Sequence, residues 1–452
     1  MGDIMDVQDA VGLFPVAYFD LGFGWILGVI ATVHILASHV SVGAGLISAW
    51  LATVAVHRNR PELLEYIRQY GLFLLVFSYV LGSITGPGIW FAATIASPRG
   101  LSSLIHLNVW LWAVEWLFFV IEVIGIYVLV YLNGRVDPRS YLTVAWIFGA
   151  ASFATLLVIA GILSFMLFPG QESWYTKGGS FRAIFSAYTF TQVFGRTCFM
   201  LVAAALTGGL IAVDMKDNAL KLEMTKKLSV LGFVAAMLGF MFFRLSLKTI
   251  PDTAELLLAN HLPGYFVPTL WAILLITLGY FAALWRNPDW ITKPIAAVML
   301  VLILVLGIYP GEKAREIMRK PYVAAHCIYP NGIYACDIPA LGIKSELDKF
   351  KDGVLNKLAF IPDKLRHITP ENELAAGKVI AENFCGSCHG LNNAGPRPLN
   401  EMFANNSDPV AIAAFIKGGL MTGNIVIMPK VSLTEQELQA LARFIAHNNK
   451  QN

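Results

Sequence analysis

LIHLNVWLWAVEWLFFVIEVIGIYVLVYL, residues 104–132, is the stretch on which the reading of the fold turns. It is longer than the roughly 20 apolar residues needed to cross a bilayer as a helix. Its ionisable groups are His106 near one end and, further in, Glu115 and Glu122. Seven residues are two helical turns, so the two carboxyls share one face about 10 Å apart, with Phe118 and Phe119 between them. Ionisable side chains inside a membrane are costly and so mark candidate sites. Two stacked carboxyls can relay protons or ligate a metal, or they can sit protonated against neighbouring helices. His106 reads either as a ligand or as an interfacial residue.

Seven more apolar runs of spanning length surround this one, at roughly 21–55, 71–96, 141–168, 186–213, 228–247, 266–285 and 292–309. The chain is 56% hydrophobic and 14% charged, against about 25% charged in ordinary soluble proteins. The expected fold class is therefore all-α: a polytopic transmembrane helix bundle of about eight spans over residues 1–310, embedded in membrane lipid. A net charge of +3 with no basic tract gives no sign of a nucleic-acid partner. The N-terminus carries Asp3, Asp6, Asp9 and Asp20 and no basic region, unlike a signal peptide.

Eight spans put both termini on one side. With that side outside, the inner loops hold eleven basic residues (Arg58, Arg60, Arg68, Arg135, Arg139, Lys216, Lys221, Lys226, Lys227, Arg286 and Lys293) and the outer loops four (Arg99, Lys177, Arg182 and Lys248). The positive-inside rule favours this orientation.

Other ionisable residues fall inside the spans. His34 and His39 are five apart, about 140° around a helix, so they face different neighbours. Each reads as a haem ligand or as a hydrogen-bonded core histidine. Arg196 and Arg244 sit in the outer halves of their spans and need anionic partners, either haem propionates or a buried acid. Gly86-Pro87-Gly88 is expected to interrupt its helix. Its small residues allow a flat ring to approach, or mark a simple kink. Met200, Met237 and Met241 read as packing before ligation, and Cys198 as a core residue.

Residues 311–370 form a polar connector containing Cys327 and Cys336, expected to pair as a disulfide. Residues 371–452 form a separate small α-helical domain. Cys385-Gly386-Ser387-Cys388-His389 is a CxxCH haem-attachment motif. Two thiols on one turn reach the vinyl groups of a haem, and the next residue, His389, faces the iron. Met428, 39 residues later and followed by Pro429, supplies the sixth ligand, with Met421 as its rival. Thr434 and Glu437 form a capping box for a last helix. The order helix, CxxCH, loop, Met-Pro, helix resembles a class I cytochrome c. It implies one covalent haem c, attached in bacteria on the outer side, in agreement with the charge bias. The expected location is a bacterial inner membrane, with the N-terminus and the cytochrome domain in the periplasm.

The first three spans resemble subunit I of cytochrome bd-type oxygen reductases. The residues that carry this are His34 with Val40-Ser41-Val42-Gly43, Thr85-Gly86, Glu115, Phe119 and Glu122; Arg319-Lys320-Pro321-Tyr322 resembles that family's closing segment. The resemblance implies a b-type haem on His34, and Glu115 and Glu122 at the active-site haem or its proton path. One to three non-covalent haem b groups are expected. There are departures. The family has nine spans. The fifth span here reads Gln192-Val193-Phe194-Gly195-Arg196, with no histidine, and the sixth reads Arg244-Leu245-Ser246, with no methionine ligand. The loop between spans six and seven, the family's quinol-binding loop, is short. The chain thus resembles a divergent branch fused to a cytochrome c. The implied function is electron transfer between periplasmic haem c and intramembrane b haems, within a bd-like oxidase complex that reduces oxygen. The alternative is a quinone- or dehydrogenase-linked electron-transfer subunit without oxygen chemistry. Implied partners are other membrane and periplasmic subunits of a respiratory complex, and a soluble cytochrome c or quinone.

Overall fold

The computed structural model describes residues 17–170, 174–177, 181–358, 361–392, 395, 397–403, 406–423 and 425–451. Asp3, Asp6 and Asp9 lie outside the described residues. Of the described residues, 73% are helical. Among the described residues, eight helices are long and apolar enough to cross a membrane.

Helix α1 (Phe23–His57) runs through the middle of the bundle. Small residues let its neighbours approach closely. A Cβ on Gly43 would collide with the backbone of Met200, and Gly45 faces Gly149 and Ser152. Helix α1 is thereby wedged between α5 (Pro138–Leu167) and α6 (Ala187–Val213). Helix α2 (Pro61–Ala96) opens on proline and contains a π-helical segment at Leu75–Val80. The Gly86-Pro87-Gly88 turn does not interrupt it: Pro87 lies inside a continuous helix. Proline removes a single ladder hydrogen bond, and a flanking glycine leaves room for its ring. Tyr66 and Tyr70 of α2 are fully buried and donate to the Gly208 and Ala204 carbonyls of α6, at 2.7 and 2.8 Å.

The 104–132 stretch is two helices. Helix α3 (Pro98–Leu107) ends at Asn108, and the span itself is α4 (Val109–Tyr131). Asn108 turns its side chain back to the Leu104 carbonyl, at 3.1 Å. His106 therefore lies on α3, outside the spanning helix. The remaining spans are α7 (Asn218–Ser246), α9 (Phe266–Arg286) and α10 (Lys293–Arg319), with a short α8 (Asp252–His261) before α9. Helix α10 continues to Arg319, past the expected span end at 309. Side chains left open on the bundle's outside include Phe91, Trp110 and Trp116, as a surface facing hydrocarbon requires.

The connector caps the end of the bundle at which α1 begins and α10 ends. Cys327 and Cys336 are joined as a disulfide. Arg99 of α3 holds Glu346 through a hydrogen bond of 2.6 Å, and Ser103 meets the Tyr334 hydroxyl at 2.5 Å.

The C-terminal domain contains α11 (Glu373–Phe384), α12 (Leu399–Met402), α13 (Pro409–Gly418), an antiparallel pair β1 (Leu420–Thr422) and β2 (Ile425–Met428), and α14 (Glu435–Gln451). Helices α11 and α14 cross at Gly377, where any Cβ would strike the Ala440 carbonyl. The Thr434–Glu437 capping box is formed: Glu437 N donates to Thr434 Oγ1 at 3.2 Å, and Thr434 N to Glu437 Oε2 at 3.1 Å.

Candidate haem-binding centres

The CxxCH turn follows directly on α11. The amides of Cys388 and His389 both donate to the Cys385 carbonyl, at 2.9 and 2.8 Å, so both thiols belong to one turn. Cys385 is buried, which pushes its thiol up to about 12. His389 Nδ1 lies 2.9 Å from the Arg397 carbonyl. A carbonyl only accepts, so the proton is on Nδ1 and Nε2 keeps its lone pair for a metal. Met428, in β2, is half-buried, whereas Met421 on β1 is exposed. These groups fit a thioether-linked haem on Cys385 and Cys388, with His389 as an axial ligand.

Within the bundle His34 and His39 point to different places. His34 Nδ1 is 3.0 Å from Thr85 Oγ1, and Thr85 itself donates to the Leu81 carbonyl at 2.7 Å. The one hydroxyl proton is committed there, so Thr85 accepts from His34, and His34 also presents a free Nε2. Gly86 faces the ring of His34, which a Cβ there would touch at 3.4 Å, an ordinary van der Waals distance.

His39 is buried, and its Nδ1 has no hydrogen-bond partner. It lines a cavity of about 350 Å³ between α1, α6, α7, α9 and α10. Gly195, Gly307 and Gly311 flatten the walls, and Phe199, Phe240 and Trp271 make them apolar. The charged residues that line it are Arg196, Arg244, Arg315 and Glu312, a net of +2 from three cations and one anion. That matches the two propionates of a haem, and buried charge needs such balance. Arg196 lies 3.7 Å from Glu312, and Arg315 donates to Glu312 at 2.7 Å.

Glu122 is buried in a polar network across four helices. It accepts from Thr155 at 2.5 Å and from Tyr79 at 3.4 Å, and Ser41 donates to Tyr79 at 3.0 Å. Glu115 shares its face but is half-buried beside the exposed Val114, Trp116 and Leu117. His106 is exposed, with Nδ1 2.7 Å from the Ser102 carbonyl. Met200 is buried in packing, and Met237 and Met241 lie on the outer surface.

Residues 372–445 match the family described as cytochrome C oxidase, cbb3-type, subunit III. The structure of bd oxidase from Geobacillus thermodenitrificans is similar at a TM-score of 0.57 and 17% identity, over 69% of this chain and 89% of that one. The C-terminal domain is a cytochrome c domain, fused to a helical part with the bd-oxidase fold. No curated protein matches the sequence. The chain is thus a multi-pass membrane protein with a haem electron-transfer role.

Several contacts in this fusion escaped the sequence reading. Glu312, Arg315, Glu316 and Arg319 form a ladder of ion pairs along the end of α10, with Arg319 on Glu316 and Arg315 on both acids. Their three- and four-residue spacing was the available signal, and the expected span end at 309 hid it. His326 holds a left-handed backbone (φ 54°), with its ring 5.0 Å from Tyr322 and 6.2 Å from Phe168, and its buried Nε2 has no partner. Lys320, one residue beyond α10, lies within electrostatic reach of Cys388, His389 and Arg397.

Proposed function

We propose that the protein carries electrons between a haem c on Cys385, Cys388 and His389 and b-type haems held in the bundle by His34 and His39, within a bd-like complex that reduces oxygen. The observation that carries this is the course of α10. Its Glu312–Arg315 turn lines the His39 cavity, and Lys320, one residue past the end of the same helix, lies within electrostatic reach of Cys388 and His389 in the haem-attachment turn. Haem supplies one-electron redox chemistry at each site. The chain holds the rings: His34 and His39 offer axial nitrogens, Arg196, Arg244 and Arg315 balance propionates, and Met428 completes the outer site. Glu122, with Tyr79, Thr155 and Ser41, holds a proton where the bundle is otherwise apolar; Glu115 is a further candidate for the proton path and His106 for a haem ligand.

The cytochrome domain faces the periplasm of a bacterial inner membrane in this reading, with other respiratory subunits and a soluble cytochrome c as partners. A quinone-linked reading has one supporting feature, the polar pair Gln192 and Thr191 on the wall of the apolar cavity.

Pyridine-haemochrome analysis of the purified chain is the test. Both haem b and haem c are expected per chain, and haem c alone overturns the proposal. Oxygen uptake with reduced cytochrome c, lost in Glu122→Gln, supports the oxidase reading. Reduction of haem c by a quinol analogue without oxygen uptake selects the quinone reading.

A further inference from the structure

Tyr18 and Asp20 lie just before α1 in sequence, yet they pack on the haem-attachment segment of the C-terminal domain. The Leu391 amide donates to the Tyr18 hydroxyl at 2.9 Å. Asn392 Nδ2 donates to Asp20 Oδ1 at 3.0 Å. The Tyr18 ring lies against Gly386 inside the CxxCH motif, where a Cβ would stand only 2.7 Å from it. Tyr18 also packs on the apolar core of the domain, which includes Cys385 and Leu391. The Asp20 carbonyl and Leu21 close on Gly395, which has φ +91° and no room for a Cβ. Two residues later comes Arg397, the residue whose carbonyl holds His389 Nδ1.

The geometry points to residues 18–21 as a positioning strap for haem c. They touch both ends of the segment, Gly386 to Gly395, that carries His389. Two residues after Leu21 begins α1, which carries His34 and His39. One continuous stretch of backbone therefore fixes the proximal ligand of the outer site relative to the helix bearing the inner histidines. A strap of this kind replaces a swinging cytochrome domain by a docked one: the separation of the centres is set by packing and not by diffusion of a tethered module. At both Gly386 and Gly395 the strap fills space that a Cβ would need. The inference rests on the proposed haem c to bundle transfer for its purpose, but not for its test.

The test uses the full-length, haem-loaded protein and the variants Tyr18→Phe and Asp20→Asn, singly and together. Tyr18→Phe removes the hydroxyl that accepts from the Leu391 amide and bonds to Asp20. Hydrogen exchange at residues 390–392 should accelerate roughly five- to tenfold, the equivalent of one net hydrogen bond. The double variant should shift the haem c midpoint potential and make transfer out of haem c after flash reduction slower and viscosity-dependent, with haem c content unchanged. Wild-type exchange and a wild-type potential in the double variant overturn the strap. If wild type itself shows no transfer into the bundle, the functional reading fails, while exchange and potential still decide the strap. Variants that lose haem c are replaced by Asn392→Ala, which breaks the same contact from the other side and should reproduce the potential shift.

Discussion

His34 donates through Nδ1 to the hydroxyl of Thr85, across 3.0 Å between α1 and α2. Because the Thr85 proton is committed to Leu81, this bond fixes the imidazole tautomer. His34→Leu should remove one b-type haem by pyridine-haemochrome counting, while haem c stays. Thr85→Val should keep the haem at saturation but weaken its retention on the order of ten- to a hundredfold. Unchanged b-haem content in His34→Leu would exclude His34 as a ligand.

The network Ser41–Tyr79–Glu122–Thr155 gives the second prediction. Glu122→Gln keeps the size and most hydrogen bonds, so folding and haem content should hold. Oxygen uptake should fall about 10²-fold, the usual scale for loss of a positioned acid–base group. Tyr79→Phe should fall less, because Thr155 still donates to Glu122. Full uptake in Glu122→Gln would remove the carboxyl from the proton path.

Arg99 and Glu346 make a buried pair, with side chains 14% and 11% exposed. Removing Arg99 leaves Glu346 with only the Lys349 ammonium, 3.3 Å away, and the Tyr334 amide as partners, at a cost of about 1–3 kcal/mol. Arg99→Met should therefore lower the thermal midpoint more than the double variant Arg99→Met with Glu346→Leu. Equal losses in the two would mean that the pair is not desolvated.

The Cys327–Cys336 bridge closes a short loop of sequence separation 9. By chain entropy it contributes roughly 2–3 kcal/mol. Mild reductant should lower the melting temperature of the connector and leave haem c bound, because thioether links are not thiol-exchangeable. Release of haem c under those conditions would show that connector and cytochrome domain unfold as one unit.

His326 lies outside the spans, and its burial holds the imidazole below its ordinary 6.5. The unfolded chain therefore binds a proton that the folded one resists, and stability should fall as pH drops below about 6.5. His326→Asn, a residue that tolerates the positive φ, should flatten that slope in melting experiments. A slope equal to wild type would assign the pH dependence elsewhere.

The eight spans and the haem-attachment turn were legible because both are local. An apolar run of sufficient length can satisfy its backbone in lipid only as a helix, whatever surrounds it. CxxCH works within one turn, and the Thr434–Glu437 capping box within another. The reading failed where composition is continuous but geometry is not. Residues 104–132 read as one predominantly apolar run, yet Asn108 divides them and carries His106 out of the span. Glu312 to Arg319 are charged, so the span seemed to end before them, although ion pairs along one helix face keep α10 intact. Pro87 looked like a break, and the helix passes through it.

The sequence by itself determined a membrane bundle joined to a cytochrome c domain, and named candidate side chains for its chemistry. Only the tertiary structure decided what those side chains meet. It turned His34 to Thr85, 51 residues away, opened the His39 cavity to three arginines, and brought Tyr18 to Leu391 across 373 positions. Hydropathy and turn chemistry act between near neighbours and can be read along the chain. Hydrogen bonds, charge balance and ring packing act between helices, and their partners are chosen only when the small residues of α1 let the bundle close.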